Sequence, residues 1–288
     1  MRSGFVSIFG KPNAGKSTLL NALMGEKLAI VSAKVQTTRH RIKGIITEKD
    51  YQVVISDTPG IIESKYKLHE KMMAVVKDAL EDADLAILLV DVKEDPRDAD
   101  QVFTALQLKV PAMVVLNKID LADKDRIKEI SDFFSARPYC KKLVTISAAS
   151  GINRKKFMAA ILEFIPEGPA YFEGDEISDL QTRFFVGELV REKIYELAQD
   201  EIPYQTAVQV REYKEKESLV KITADIIVQR ESQKAILIGG KGAMIKKIGT
   251  EARKGIEEFI GQKVFLELFV KVKPNWRENE LQLKELGY

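Results

Sequence analysis

Five short apolar runs stand out in the first half of the chain: FVSIF (5–9), YQVVISD (51–57), LAILLVD (85–91), AMVVLNK (112–118) and LVTISA (143–148). Each is nearly continuous instead of alternating, the pattern of strands covered on both faces, as in a parallel sheet. Between them apolar positions recur at helical spacing, which predicts helices over 16–25, 70–82, 98–108, 125–136 and 154–164. Strand and helix alternating in this way predict an α/β doubly wound domain. The run HRIKGIITEK, just ahead of the second strand, is placed to pair with it antiparallel as a hairpin.

The pattern breaks at IPEGPAYFEGDEISD (165–179), where prolines, glycines and acids replace the periodicity and a linker is expected. Beyond it the order changes to a helix (181–199), strands near 206–213 and 219–229, two helices around ILIGGKGAMIKKIG (236–249) and a last strand from Val264. That order predicts a small α+β domain with a single sheet. The expected division is therefore 1–168, a linker over 169–180, and 181–288.

Composition narrows the class without choosing a function. An apolar fraction of 45% with 31% charged residues is ordinary for a globular protein. The formal net charge of +2 implies no partner. Its distribution is more informative, since 230–254 carries seven lysines and arginines against Glu231 and Glu251. The single cysteine, Cys140, excludes an intrachain disulfide and a cysteine-rich metal site, which suits a reducing compartment. The first strand begins almost at once, leaving no room for a signal peptide, and no apolar run approaches the roughly 18 residues of a membrane span. A cytoplasmic chain is expected.

GKPNAGKS (10–17) satisfies G-x-x-x-x-G-K-[ST] between a strand and a helix, the context that this phosphate loop needs. Its Gly10, Asn13, Ala14, Gly15 and the following Thr18 would present backbone around phosphates, Lys16 would reach the β and γ phosphates, and Ser17 would ligate magnesium. Asp57, in DTPG at a strand end, can hold magnesium through water, and Gly60 can offer its N–H to a γ phosphate. NKID (117–120) ends another strand. Asp120 can accept from guanine's ring N–H and exocyclic amine, an arrangement adenine lacks, and an unpaired carboxylate penalises the wrong base. Asn117 would brace this loop and the stem of Lys118 would cover the base. SAAS, with Ser147, Ala148 and Ala149, is placed so that the Ala148 N–H meets the guanine keto oxygen.

With these motifs in order, the chain resembles a Ras-like P-loop GTPase. QTTRHR (36–41) supplies the remaining element, a threonine that coordinates magnesium when a γ phosphate is present. Thr38 is assigned that role, with Thr37 as the alternative. Ras-like enzymes orient the attacking water with a glutamine after the glycine of DTPG, and here that position is Ile61. The chain thus resembles the subgroup with a hydrophobic substitution, for which slow intrinsic hydrolysis is expected. In relatives of that subgroup the phosphate-loop asparagine, here Asn13, helps bind a potassium ion that supplies charge for catalysis.

In the second domain, Gly239, Gly240, Lys241 and Gly242 form G-x-x-G between two helical patterns, with Ile245 and Lys246 at the start of the second. This matches a type II KH domain, whose loop clamps the backbone of about four single-stranded nucleotides beside an apolar groove. Lys241 adds salt-sensitive affinity for phosphate. A Ras-like GTPase domain followed by a KH domain resembles the Era family of bacterial ribosome-assembly GTPases. KPNAGKSTLLNALMG, QTTRHRI, DTPGI, NKID, VREKI, GGKGAMIKKIG and FLELFVKVKPNWR carry that resemblance along almost the whole chain. It implies GTP with magnesium, binding of the 3′ end of 16S ribosomal RNA, association with the 30S subunit, peripheral contact with the inner face of the cell membrane, and a monomer.

His40 and His69, the only histidines, lie beside no nucleophile or metal cluster and read as surface or switch-loop residues. Trp276 could stack on a base or anchor the end of the last strand. Two rival readings differ in what they expect. A phosphotransferase would use the same loop but leaves NKID unexplained, and a plain RNA-binding protein would hold GTP only as structure.

Overall fold

The computed structural model describes residues 1–288. By contacts the chain forms two compact units. The first comprises Met1–Ala29, Thr38–Glu63 and Met72–Asp179, and the second Ile30–Thr37, Ser64–Lys71 and Leu180–Tyr288. No single cut in the sequence separates them.

The first unit contains strands β1 (Arg2–Phe9), β2 (Ile42–Thr47), β3 (Tyr51–Asp57), β4 (Leu85–Asp91), β5 (Ala112–Asn117) and β6 (Cys140–Thr145). They form one sheet in the order β2-β3-β1-β4-β5-β6. Only β2 runs antiparallel, paired with β3 from Ile42 opposite Asp57 to Thr47 opposite Gln52. The apolar runs are continuous because both faces are covered: every residue of β4 and β5 is buried. Helices α1 (Lys16–Met24), α2 (Lys67–Glu81), α3 (Pro96–Ala105), α4 (Lys124–Ser135) and α5 (Arg154–Leu162) alternate with the strands. Asp95 and Asp123 cap α3 and α4 by accepting from Arg97 N and Arg126 N at 2.9 and 2.7 Å. In a doubly wound sheet the loops at the carboxyl ends of the parallel strands build the ligand crevice.

The segment expected as a linker is tied down as far as Asp179. Gln52, fully buried, accepts from Tyr171 N and Phe172 N at 2.7 and 3.0 Å and donates to Phe172 O at 2.9 Å. Ile45 N donates to Ile177 O at 2.9 Å, and Lys43 pairs with Asp179 at 2.7 Å. The bonds of Ile45 N to Ile177 O and of Ser178 Oγ to Lys43 O pair backbone on the outer edge of β2 that would otherwise stand open.

The second unit carries α6 (Thr182–Leu197), β7 (Ala207–Glu215), β8 (Val220–Val228), α7 (Glu231–Ile238), α8 (Ala243–Ile260), β9 (Val264–Val272) and α9 (Glu280–Glu285). Its sheet has the order β7-β8-β9, with β7 antiparallel and β9 parallel to β8. Val186, Val190, Ile194, Ile222, Ile226, Ile248, Ala252 and Ile256 form its core. Trp276 is fully buried, donates from Nε1 to Gln205 O at 3.0 Å and stacks on Tyr288. It anchors the chain after β9 and has no face for a base. His69 is also buried, against Tyr66 at 3.7 Å between ring centroids, so the surface reading does not hold for it. No helix is long and apolar enough to cross a membrane.

Candidate functional site

The loop between β1 and α1 brings Gly10, Asn13, Ala14 and Gly15 to the carboxyl end of the sheet. Gly15 has φ 98°, and a Cβ there would lie 2.4 Å from Asn117 Nδ2, so glycine alone fits. No side chain caps α1, which leaves its first N–H groups and its positive end directed at this loop. Lys16 is buried, donating to the carbonyls of Gly10 and Lys11 at 3.1 and 3.0 Å. Burial pushes its ammonium down to about 8, opposed by the carboxylates of Asp57 and Glu94.

Three oxygen-bearing side chains meet beside Lys16. Ser17 Oγ lies 2.7 Å from Asp57 Oδ2, Thr38 Oγ1 2.9 Å from the same oxygen, and the two hydroxyls 2.9 Å from each other. Asp57 is fully buried, and its Oδ1 has no hydrogen-bond partner. Burial raises the Asp57 carboxyl, opposed by Lys16 and the two hydroxyls. A buried carboxylate with a spare oxygen and two hydroxyls beside it is the hard-oxygen donor set that suits magnesium. Of the two candidate threonines, Thr38 enters this cluster.

Asn117, at the end of β5, connects the other two loops. Its Nδ2 donates to Ala14 O at 2.9 Å and its Oδ1 accepts from Ala148 N at 3.0 Å, both buried. Lys118, in the left-handed region at φ 63°, reaches Asn13 O at 2.8 Å and Asp91 Oδ2 at 2.6 Å. Asp91 is a member of this network that the motifs did not single out. Asp120 and Ala149 stand exposed at its rim, and Ser147 is buried. Because the Ala148 N–H is committed to Asn117, the guanine contact expected of it has a rival in the next residue of the turn. Gly60 is held against Pro12, where a Cβ would approach within 2.9 Å. Ile61 packs its side chain on the apolar cluster around Phe9 and Leu88.

In the second unit the turn between α7 and α8 has Gly239, Lys241 and Gly242 at φ 70°, 52° and 80°. A Cβ on Gly239 would lie 2.9 Å from Met244 N. Gly240 and Lys241 are exposed at the tip. Beside it opens a cavity of about 400 Å³ lined by Ile245, Lys246, Gly249, Thr250 and Arg253 of α8 and by Val264, Leu266 and Leu268 of β9. Apolar walls with a cationic rim suit unstacked bases joined by phosphates.

A family profile described as 50S ribosome-binding GTPase matches residues 5–118, and one described as KH domain matches 201–277. GTPase Era of Geobacter metallireducens is 44% identical over 291 residues, spanning 100% of this chain and 98% of its own. The chain belongs to the Era family of GTPases. GTPase Era of Geotalea uraniireducens is 46% identical over 290 residues, with 100% of this chain and 98% of the relative covered. A solved Era structure from Aquifex aeolicus, a single-residue variant bound to GDP and aluminium fluoride, superposes with a TM-score of 0.95 at 39% identity, covering 100% of this chain and 99% of that one. So does an Era structure in complex with MgGDPNP and nucleotides 1506–1542 of 16S ribosomal RNA, with the same score, identity and coverage. Era-family membership makes this chain a guanine-nucleotide-binding GTPase, with a Ras-like P-loop domain and a C-terminal KH domain.

Two features at these sites left no sequence signal of their own kind, and a third left a faint one. Asp91 reads as an ordinary strand end. The commitment of the Ala148 N–H depends on a tertiary bond. Glu188 and Arg191, buried in α6, carried one overlooked sign: an acid and a base three residues apart on the face that packs inward.

Proposed function

We propose that this chain is a GTP-hydrolysing switch that binds the 3′ end of 16S ribosomal RNA through its KH domain and acts in 30S subunit biogenesis. The observation that carries the switch is Thr38, whose hydroxyl meets Ser17 and Asp57 at the candidate metal position. Magnesium held there by Ser17, Thr38 and Asp57 would supply positive charge to the phosphates. Lys16 adds its ammonium to the same phosphates, and Gly60 presents its N–H to the γ phosphate. Loss of the γ phosphate removes what Thr38 and the Gly60 loop order around, which is the two-state element of the switch.

Asp120 selects guanine, and its present exposure ends when a base covers it. Asn117 fixes the loop, the Lys118 stem covers the base, and Ala149, next to the committed N–H of Ala148, offers its own N–H to the keto oxygen. Ile61 cannot orient water by hydrogen bonding, so intrinsic hydrolysis is slow. Asn13 helps bind potassium, and hydrolysis that is indifferent to replacing potassium with sodium would remove that role.

On the RNA side, Gly239, Gly240, Lys241 and Gly242 clamp the backbone, and Ile245 and Lys246 line the groove for bases. The Era complex with 16S RNA supports this assignment. We place the chain in the cytoplasm as a monomer, with peripheral contact at the inner face of the membrane. Crosslinking in cells followed by sequencing of bound RNA tests the partner. Enrichment at the small-subunit 3′ end is expected, and enrichment elsewhere would overturn it.

A further inference from the structure

Residues 30–37, which lead into Thr38, belong by contacts to the second unit, where α6 holds the carbonyls of Gln36 and Thr37. Arg191 is almost fully buried. Its Nε donates to Glu188 Oε1 at 2.8 Å and its Nη2 to Glu188 Oε2 at 2.5 Å, which fixes the guanidinium plane. The same Nη2 donates to the carbonyl oxygen of Thr37. One turn along the helix, the buried Tyr195 donates from its hydroxyl to Gln36 O at 2.9 Å. Gln36 sits in the left-handed region at φ 59°, a conformation that persists only where surrounding contacts enforce it.

The grip runs both ways. Lys34 donates from Nζ to Tyr195 O and Ala198 O, each at 2.5 Å, which satisfies carbonyls left open at the end of α6 and places a cation at its negative pole. Arg191 and Tyr195 thus hold the carbonyls of two consecutive residues, Lys34 ties its own side chain back to α6, and the next residue in the chain is Thr38. Its Oγ1 has to arrive within hydrogen-bond reach of Ser17 and Asp57. A backbone shift of about one ångström at such a position is enough to break a ligand contact.

We propose that Arg191 and Tyr195 are positioning residues for Thr38, setting how well the site distinguishes a triphosphate with magnesium from a diphosphate. The proposal rests on the reading of Thr38 as a magnesium ligand. It follows from linkage that any change which alters the grip of α6 on residues 34–37 alters GTP affinity, and the reverse holds equally.

The test uses the full chain and fluorescent GDP and non-hydrolysable GTP analogues, titrated with magnesium and again in a chelator. Tyr195→Phe removes one hydroxyl and keeps the ring in its packing. Arg191→Met with Glu188→Leu removes the buried pair together, so that no lone charge remains. In magnesium, each variant should lose about three- to tenfold in affinity for the GTP analogue while GDP affinity stays within about twofold, and the difference should vanish in chelator. Should the double variant fail to fold, Tyr195→Phe decides alone. Thr38→Ala serves as the reference. If it collapses the GTP over GDP preference while both α6 variants keep it, the positioning role is overturned. If Thr38→Ala itself leaves the preference intact, the underlying reading of Thr38 has failed instead.

Discussion

Asn117 Nδ2 donates to the carbonyl oxygen of Ala14 at 2.9 Å, joining the NKID loop to the GKPNAGKS loop through one buried side chain. The same amide accepts from Ala148 N, so three loops from different parts of the chain share a single residue. Asn117→Ala should lower guanine nucleotide affinity by at least tenfold and destabilise the fold by about 1–3 kcal/mol, since buried partners lose their bonds. Calorimetric titration and thermal melts measure both. A variant with unchanged affinity would show that the loops hold their places independently.

Lys16 gives the nucleotide site a pH dependence. Its ammonium is lowered to about 8 by burial, so the folded chain sheds this proton before the unfolded chain does at its ordinary 10.5. Between those two values the unfolded state binds more protons, and the stability of the nucleotide-free protein should rise with pH across that window. Phosphates favour the charged form, so nucleotide binding above pH 8 takes up a proton. Affinity should be flat near neutrality and fall by up to about tenfold per pH unit above 8. Asp57 acts on the acid side, where its raised carboxyl takes a proton earlier and magnesium binding should weaken as pH falls. Titrations across pH with Lys16→Met as control would detect the base-side slope.

Asp120→Asn should weaken GTP binding and shift preference toward xanthosine nucleotides, because an amide can donate to the xanthine oxygen where the carboxylate accepted from guanine's amine. Competition between GTP and XTP measures the shift. Unchanged guanine preference would remove Asp120 from the base site.

Much of this was legible in the chain because continuous apolar runs, a strand-ending aspartate and two glycine turns each have a local physical cause. β4 and β5 are wholly buried, and the runs LAILLVD and AMVVLNK show why. The β2 hairpin was visible for the same reason. What escaped depends on tertiary contact. Nothing local tells that Gln52 will grip Tyr171 and Phe172, or that 30–37 and 64–71 will join the second unit. In the latter segment Leu68 N donates to Arg277 O at 3.0 Å and Lys71 pairs with Glu280 at 3.2 Å, partners about 200 residues away in sequence. The short helix α9 was missed because six residues are too few for a periodicity to register.

Gly240→Asp with Lys241→Asp places two carboxylates on the exposed tip of the second turn. RNA affinity should fall by about tenfold or more and its salt dependence should flatten, since a phosphate contact is lost. GTP affinity should be unchanged. Loss of both activities together would mean that the two sites are not separable.

Fluorescence anisotropy of the full chain with a labelled oligonucleotide of the 16S 3′ end, titrated at one salt concentration with a GTP analogue and with GDP, reads the switch and its partner at once. The sequence should bind more tightly than a scrambled control of equal length, and its affinity should differ between the two nucleotides. Equal binding of the scrambled strand, or identical affinity in both nucleotide states, would contradict a GTP-controlled reader of ribosomal RNA.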